Sequence, residues 1–282
     1  MPDCGQCCLQ PWEADINNGG KAQITSTTQI AYACETFLGK DSGQSGTLAV
    51  NQGRLDQCSL MWVGYDGTGT LAITTGGVVN TLVGGFIAAH AGSNGAATVD
   101  GTNSKWTVTV GGAGLYVGGT DGSTGGTGLL TVKNGGAVTA ASLHVWNSGT
   151  LTGNATVTVN SPSTPVVTVD GTLAPSWTLT VNGNLTFANL NATMQCNVTP
   201  DNLNSVDAEV SGAVALNGKL SVTMTGNFTP GARFTLLHAT GGLGGTRFST
   251  QSITFPPGQN FTPKINYDAN HVYLDLQPNT GS

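Results

Sequence analysis

Apolar and polar residues take turns along most of this chain. In residues 70–79, "TLAITTGGVV", Leu71 and Ile73 fall on one side and Ala72 and Thr74 on the other. Leu130 and Val132 flank Thr131, and Val157 and Val159 flank Thr158. A period of two sends alternate side chains to opposite faces of an extended backbone, so each segment reads as a strand with one buried face. The segments last roughly four or five residues before "YDGTG", "TTGG", "KNGG" or "VDGT" stops them. Asp-Gly and Asn-Gly suit such stops, because Gly accepts positive φ without a Cβ clash. Gly and Thr also oppose helix over every window of this length.

The strands recur. Gly-x-Leu or a close relative opens one at Gly46, Gly69, Gly95, Gly128, Gly149 and Gly171, with gaps of 23, 26, 33, 21 and 22 residues. A unit this short buries one face only and makes no core alone. Stacking each turn of chain on the next solves this, because inward Val, Leu and Ile then form a continuous apolar shaft. The fold expected is all-β: a right-handed parallel β-helix, or β-solenoid, with about three strands per coil. At about 4.8 Å per coil, nine or ten coils make a rod on the order of 45 Å long. The competing architecture is a β-sandwich such as a jelly roll, whose strands are joined by hairpins and need no regular unit.

The texture changes at both ends. Residues 1–36 carry Cys residues with Trp12, Glu13 and Asp15, and from about Pro200 the strands lengthen and aromatics increase. Open sheet edges invite aggregation unless covered. Residues 1–36 are therefore expected to be an N-terminal cap, 37–199 the solenoid, and 200–282 a C-terminal β-helix or cap region.

These units resemble the repeat of bacterial autotransporter (type V secretion) passengers and of proteins with PEP-CTERM sorting signals. The motifs are "MWVG" and "LYVG", a Gly/Ser/Thr turn, "GTLAI" and "GLLTV", then G-G-x-V. "VDGTNSKW", ending in Trp106, is the most distinctive piece. "NGKLSVTM", "FTLLHATGGLGGTRF" and "YDANHVYLDL" resemble the passenger C-terminal region. The resemblance implies an exported bacterial protein, extracellular or on the cell surface. The first twenty residues lack the basic and apolar regions of a signal peptide, and neither a translocator barrel nor a PEP-CTERM tail follows, so leader and anchor are expected outside this sequence.

Composition narrows the function. Charged residues are 9% of the chain and the formal charge is −6, with nine scattered Lys and Arg. No basic stripe offers to neutralise phosphates, so nucleic acid is not an expected partner. No apolar run reaches about 18 residues, so membrane insertion is not expected either. Cys4, Cys7, Cys8, Cys34 and Cys58 are candidate disulfide cysteines for the N-terminal end, with pairing undetermined and a metal site as the alternative. Cys196 reads as a small buried residue.

Little else suggests catalysis. Asp66, Asp100, Asp121 and Asp170 each precede Gly and read as turn formers. His90, His144, His238 and His271 sit singly, without ligand spacing. "GGTDGSTGGTG" at 118–128 reads as a protruding turn, since neither a calcium repeat nor a phosphate loop is completed. No catalytic residue, cofactor or metal is expected. Trp62, Tyr65, Tyr116 and Trp146 are candidate surface aromatics, able to stack on sugars or on one another. The expected function is a non-catalytic structural or adhesive rod that meets an extracellular glycan or matrix. The alternative is a self-assembling subunit of a filament or sheath, joined end to end or laterally. A polysaccharide-active enzyme is the third reading.

Overall fold

A computed structural model describes residues 13–109, 114–163 and 165–279. Among these residues the strands form three sheets of nine, ten and eleven strands. Each sheet takes every third strand in turn, and the pairings are parallel until the C-terminal end. The chain is a parallel β-solenoid of about nine three-stranded coils. Among the described residues the only helix is a short 3-10 segment at Pro200–Asn204.

Sheet A runs from Glu13–Ile16 to Val214–Ala215, sheet B from Gly20–Ile24 to Thr250–Thr254, and sheet C begins at Ile30–Ala33. Parallel stacking thus reaches into both segments that the sequence texture set apart. It includes residues 13–33 and continues to Thr250–Thr254. Sheet C then changes sense. Arg233–Ala239 pairs antiparallel with His271–Pro278, which pairs antiparallel with Phe261–Tyr267.

Registers follow the Gly-x-Leu anchors. Gly46, Gly69, Gly95, Gly128 and Gly149 stand opposite one another in successive coils, and Gly20 extends the row by one. Their role is space rather than φ. A Cβ on Gly69 would lie 2.1 Å from the Gly64 amide nitrogen, and one on Gly95 2.2 Å from the Val63 carbonyl oxygen. The chain turning from sheet A to sheet B passes so close that only hydrogen fits. Positive φ matters at other turns, such as Asn134 and Gly135 at 52° and 84°.

Inward columns fill the shaft. Leu48, Leu71, Ala97, Leu130, Leu151 and Leu173 stack in sheet B, and Leu38, Val63, Ile87, Val117 and Val145 are their counterparts in sheet A. Among the described residues Trp106 is the largest fully buried side chain, at 0% exposure. Gly85 of sheet A makes room for it, since a Cβ there would meet the indole at 2.9 Å. The indole Nε1 donates to Thr81 Oγ1 at 3.1 Å, and Thr81 donates to Gln57 Oε1 at 3.0 Å. A polar chain is thereby satisfied inside an apolar shaft.

Candidate binding face

The outer face of sheet A carries the candidate site. Its central strands are Glu35–Leu38, Leu60–Val63, Gly84–Ile87, Gly114–Val117, Ser142–Val145 and Val166–Val169. Apart from Thr36 and Met61, the inward residues are aliphatic or Gly, and in each strand the position before the last residue points out. That position holds Phe37, Trp62, Phe86, Tyr116, His144 and Thr168 in successive coils.

The first four rings form a ladder. Phe37 and Trp62 lie 6.0 Å apart, Trp62 and Phe86 4.2 Å, and Phe86 and Tyr116 5.3 Å, with planes within 15° of parallel. In-register parallel strands impose this, because equivalent side chains repeat at the inter-strand spacing. Glycines permit the rings to lie along the strand. Gly84 sits under the Phe86 ring, and a Cβ on Gly114 would lie 2.6 Å from the Tyr116 ring. At the N-terminal end Lys40 Nζ stands 4.3 Å over the Phe37 ring, held by Glu13 and Asp15 of the preceding coil. Tyr65 closes the side, edge-on to Phe37, Trp62 and His90.

The candidate aromatics therefore occupy different situations. Trp62 has a ring on each face, and its Nε1 is buried without a partner. Tyr65 is a lateral brace. Trp146 packs on His144 at 3.9 Å and donates from Nε1 to the Thr120 carbonyl at 2.8 Å. Tyr116 is the last rung of the ladder among the described residues. The next coil supplies no ring to it, because His144 turns to Trp146 and to Asp170 Oδ2 at 2.6 Å. Asp170 is fixed in turn by Asn189, which donates to Oδ1 at 2.6 Å.

Beyond Tyr116 the face opens into a groove of about 420 Å³. Its floor is Ser142, His144, Val166 and Thr168, in two coils of sheet A. Asp121 stands on one bank, in the protruding turn 118–126, and Ser161 and Ser163 on the other. Burial, with Asp121 nearby, pushes the Tyr116 phenol above its usual range.

The histidines, single in sequence, all meet carboxylates. His90 pairs with Asp66 at 2.8 Å, His144 with Asp170 at 2.6 Å, His238 with Glu209 at 2.6 Å, and His271 with Asp268 at 2.9 Å. Three of these pairs join neighbouring coils, at separations of 24, 26 and 29 residues. Asp100 likewise accepts from Asn134 at 2.8 Å. Turn acids thus also tie one coil to the next, a role their Asp-Gly context does not announce. Among the described residues no group of three or more His, Cys, Asp or Glu is placed to hold a metal ion, and no helix is long and apolar enough to cross a membrane.

Of the candidate disulfide cysteines, Cys4, Cys7 and Cys8 lie outside the described residues. Cys34 and Cys58 fall at the same corner one coil apart, the Ser59 amide donating to the Cys34 carbonyl. Among the described residues no disulfide joins Cys34, Cys58 and Cys196 to one another.

The fold places this chain in the class of parallel β-solenoids. Comparison with known protein families, with curated proteins and with solved structures returns no match.

Proposed function

We propose that this protein is a non-catalytic structural or adhesive rod, exported to the cell surface or beyond it, that presents the outer face of sheet A to a glycan or matrix. One observation carries the reading: polar and aromatic side chains are used mainly to join coil to coil, as in the ring ladder from Phe37 to Tyr116. Such joints favour a stiff shaft with a continuous, weakly charged surface. The resemblance to autotransporter passengers and PEP-CTERM-associated proteins agrees with it. On this reading the coils wind right-handed, as crossovers between parallel strands nearly always do, and the antiparallel strands after Thr254 serve as a cap.

Retention on surfaces tests the proposal. Purified protein is passed over insoluble polysaccharides and extracellular matrix, and bound protein is measured after washing. Adherence to at least one is expected, with no release of soluble sugar. Turnover of a polysaccharide that a single carboxylate substitution abolishes would replace this reading with an enzymatic one.

The second reading is a filament subunit. Sheet B ends in a parallel strand, Thr250–Thr254, which offers an edge for a further chain, whereas the last strand of sheet A is covered, the Val214 amide donating to the Gly242 carbonyl. Against it stands the antiparallel end of sheet C, where parallel growth is interrupted. Electron microscopy of concentrated protein separates the two: short single rods support the first reading, polymers the second.

A further inference from the structure

We infer that the groove beyond Tyr116 is a sugar subsite that takes one neutral pyranose unit against the open face of the Tyr116 ring. This rests on the adhesive reading and names its ligand class.

The argument starts from the ladder. Phe37 lies between Lys40 and Trp62, Trp62 between two rings, and Phe86 between two rings. Their faces are occupied, so they cannot serve as platforms. Tyr116 has Phe86 on one side and borders the groove on the other. The apolar face of a pyranose, with its C–H groups, matches such a surface, as another ring would.

The surroundings suit hydroxyl groups. Ser142 follows Gly114, the glycine against which the Tyr116 ring lies, and Thr168 follows His144, so small polar side chains continue the face beyond the last ring of the ladder. Asp121 accepts hydrogen bonds, and the Ser163 and Thr168 hydroxyls donate or accept. His144 is held by Asp170 through Nε2, which leaves Nδ1 for the groove. A largely preformed cleft with a few placed polar groups is the usual form of a small-ligand site. Among the described residues no Lys or Arg lines it, whereas a carboxylate does. An anionic sugar would meet like charge without compensation, and a neutral one would not.

The test uses the full chain with soluble probes. Neutral hexose and N-acetylhexosamine hexasaccharides are titrated by calorimetry and by intrinsic tryptophan fluorescence, with hexagalacturonate as the anionic comparison. At least one neutral probe is expected to bind and hexagalacturonate is not. Tyr116→Phe should keep affinity within about threefold, and Tyr116→Ala should lower it about five- to tenfold, within what one aromatic stack contributes. Ser142→Phe, which fills the groove and leaves Tyr116 in place, should abolish binding while the melting temperature stays near that of the wild type. Preference for hexagalacturonate, or undiminished binding by both Tyr116→Ala and Ser142→Phe, overturns the subsite. If those variants still adhere to a surface that retains the wild type, the adhesive reading survives without it. If no neutral probe binds and no surface retains the wild type, both fall.

Discussion

At the scale of single residues, the recurrent glycines are the most constrained positions. Ala at Gly95 would place Cβ 2.2 Å from the Val63 carbonyl oxygen and 2.5 Å from the Ala88 amide nitrogen. Backbone cannot retreat as a flexible side chain can, so Gly95→Ala should destabilise by about 2 kcal/mol or more in urea melts. Gly85→Ala presses instead on the Trp106 indole and the Leu115 side chain, and about 1–3 kcal/mol is expected there. The anchors were readable as a repeat because Gly stands at a regular offset before an apolar strand. Their cause was not, since the close approach comes from the backbone of the sheet A to sheet B turn, of the same coil at Gly69 and of the preceding coil at Gly95, and shows only once the chain has wound. Tyr116 shows the same limit. Its place as an aromatic in the repeat is visible in "LYVG", but its open face depends on His144 turning aside in the following coil. Pairs such as His144 with Asp170 were hidden for that reason, because their spacing has meaning only once the coil length is known.

At the scale of strands, the junction of Thr193–Val198 with Val206–Val210 contains a buried acid. Asp207 is 5% exposed, lies beside the Cys196 thiol, and has one carboxylate oxygen without a partner. Burial pushes its carboxyl up to about 7 and pushes the Cys196 thiol up as well. The folded protein therefore holds a proton that the unfolded chain releases near pH 4. Stability from this group falls as pH rises from about 4 to about 7 and then levels. Urea melts at pH 4.5 and 7.5 should show Asp207→Asn losing less stability across that interval than the wild type, by a few kcal/mol. Strand existence and facing were legible here from alternation, as with Leu71 and Ile73. The antiparallel turn of sheet C was not, because Arg233–Ala239 and His271–Pro278 alternate as parallel strands do, and nothing local in them specifies the sense of pairing.

At the scale of the whole molecule, each coil contacts mainly its two neighbours, so coils behave as interchangeable units. Residues 60–83 make one such unit, with strands Leu60–Val63, Thr68–Thr74 and Val78–Thr81. Their removal should bring Phe37 beside Phe86 and Leu48 beside Ala97, leaving a folded rod shorter by about 4.8 Å. Removing residues 60–71 instead leaves two sheets out of step. Circular dichroism and small-angle scattering should find the first deletion folded and the second collapsed or aggregated.

Strands that lie across the axis also determine how the rod yields to force. Tension applied between its two ends loads the ladder bonds of the outermost coil first, and the rest only after that coil has peeled away. Rupture should come in small successive steps rather than in one event. A coil of roughly two dozen residues would release about 80 Å of chain each time, so a tether of this kind dissipates strain gradually and keeps its remaining coils intact.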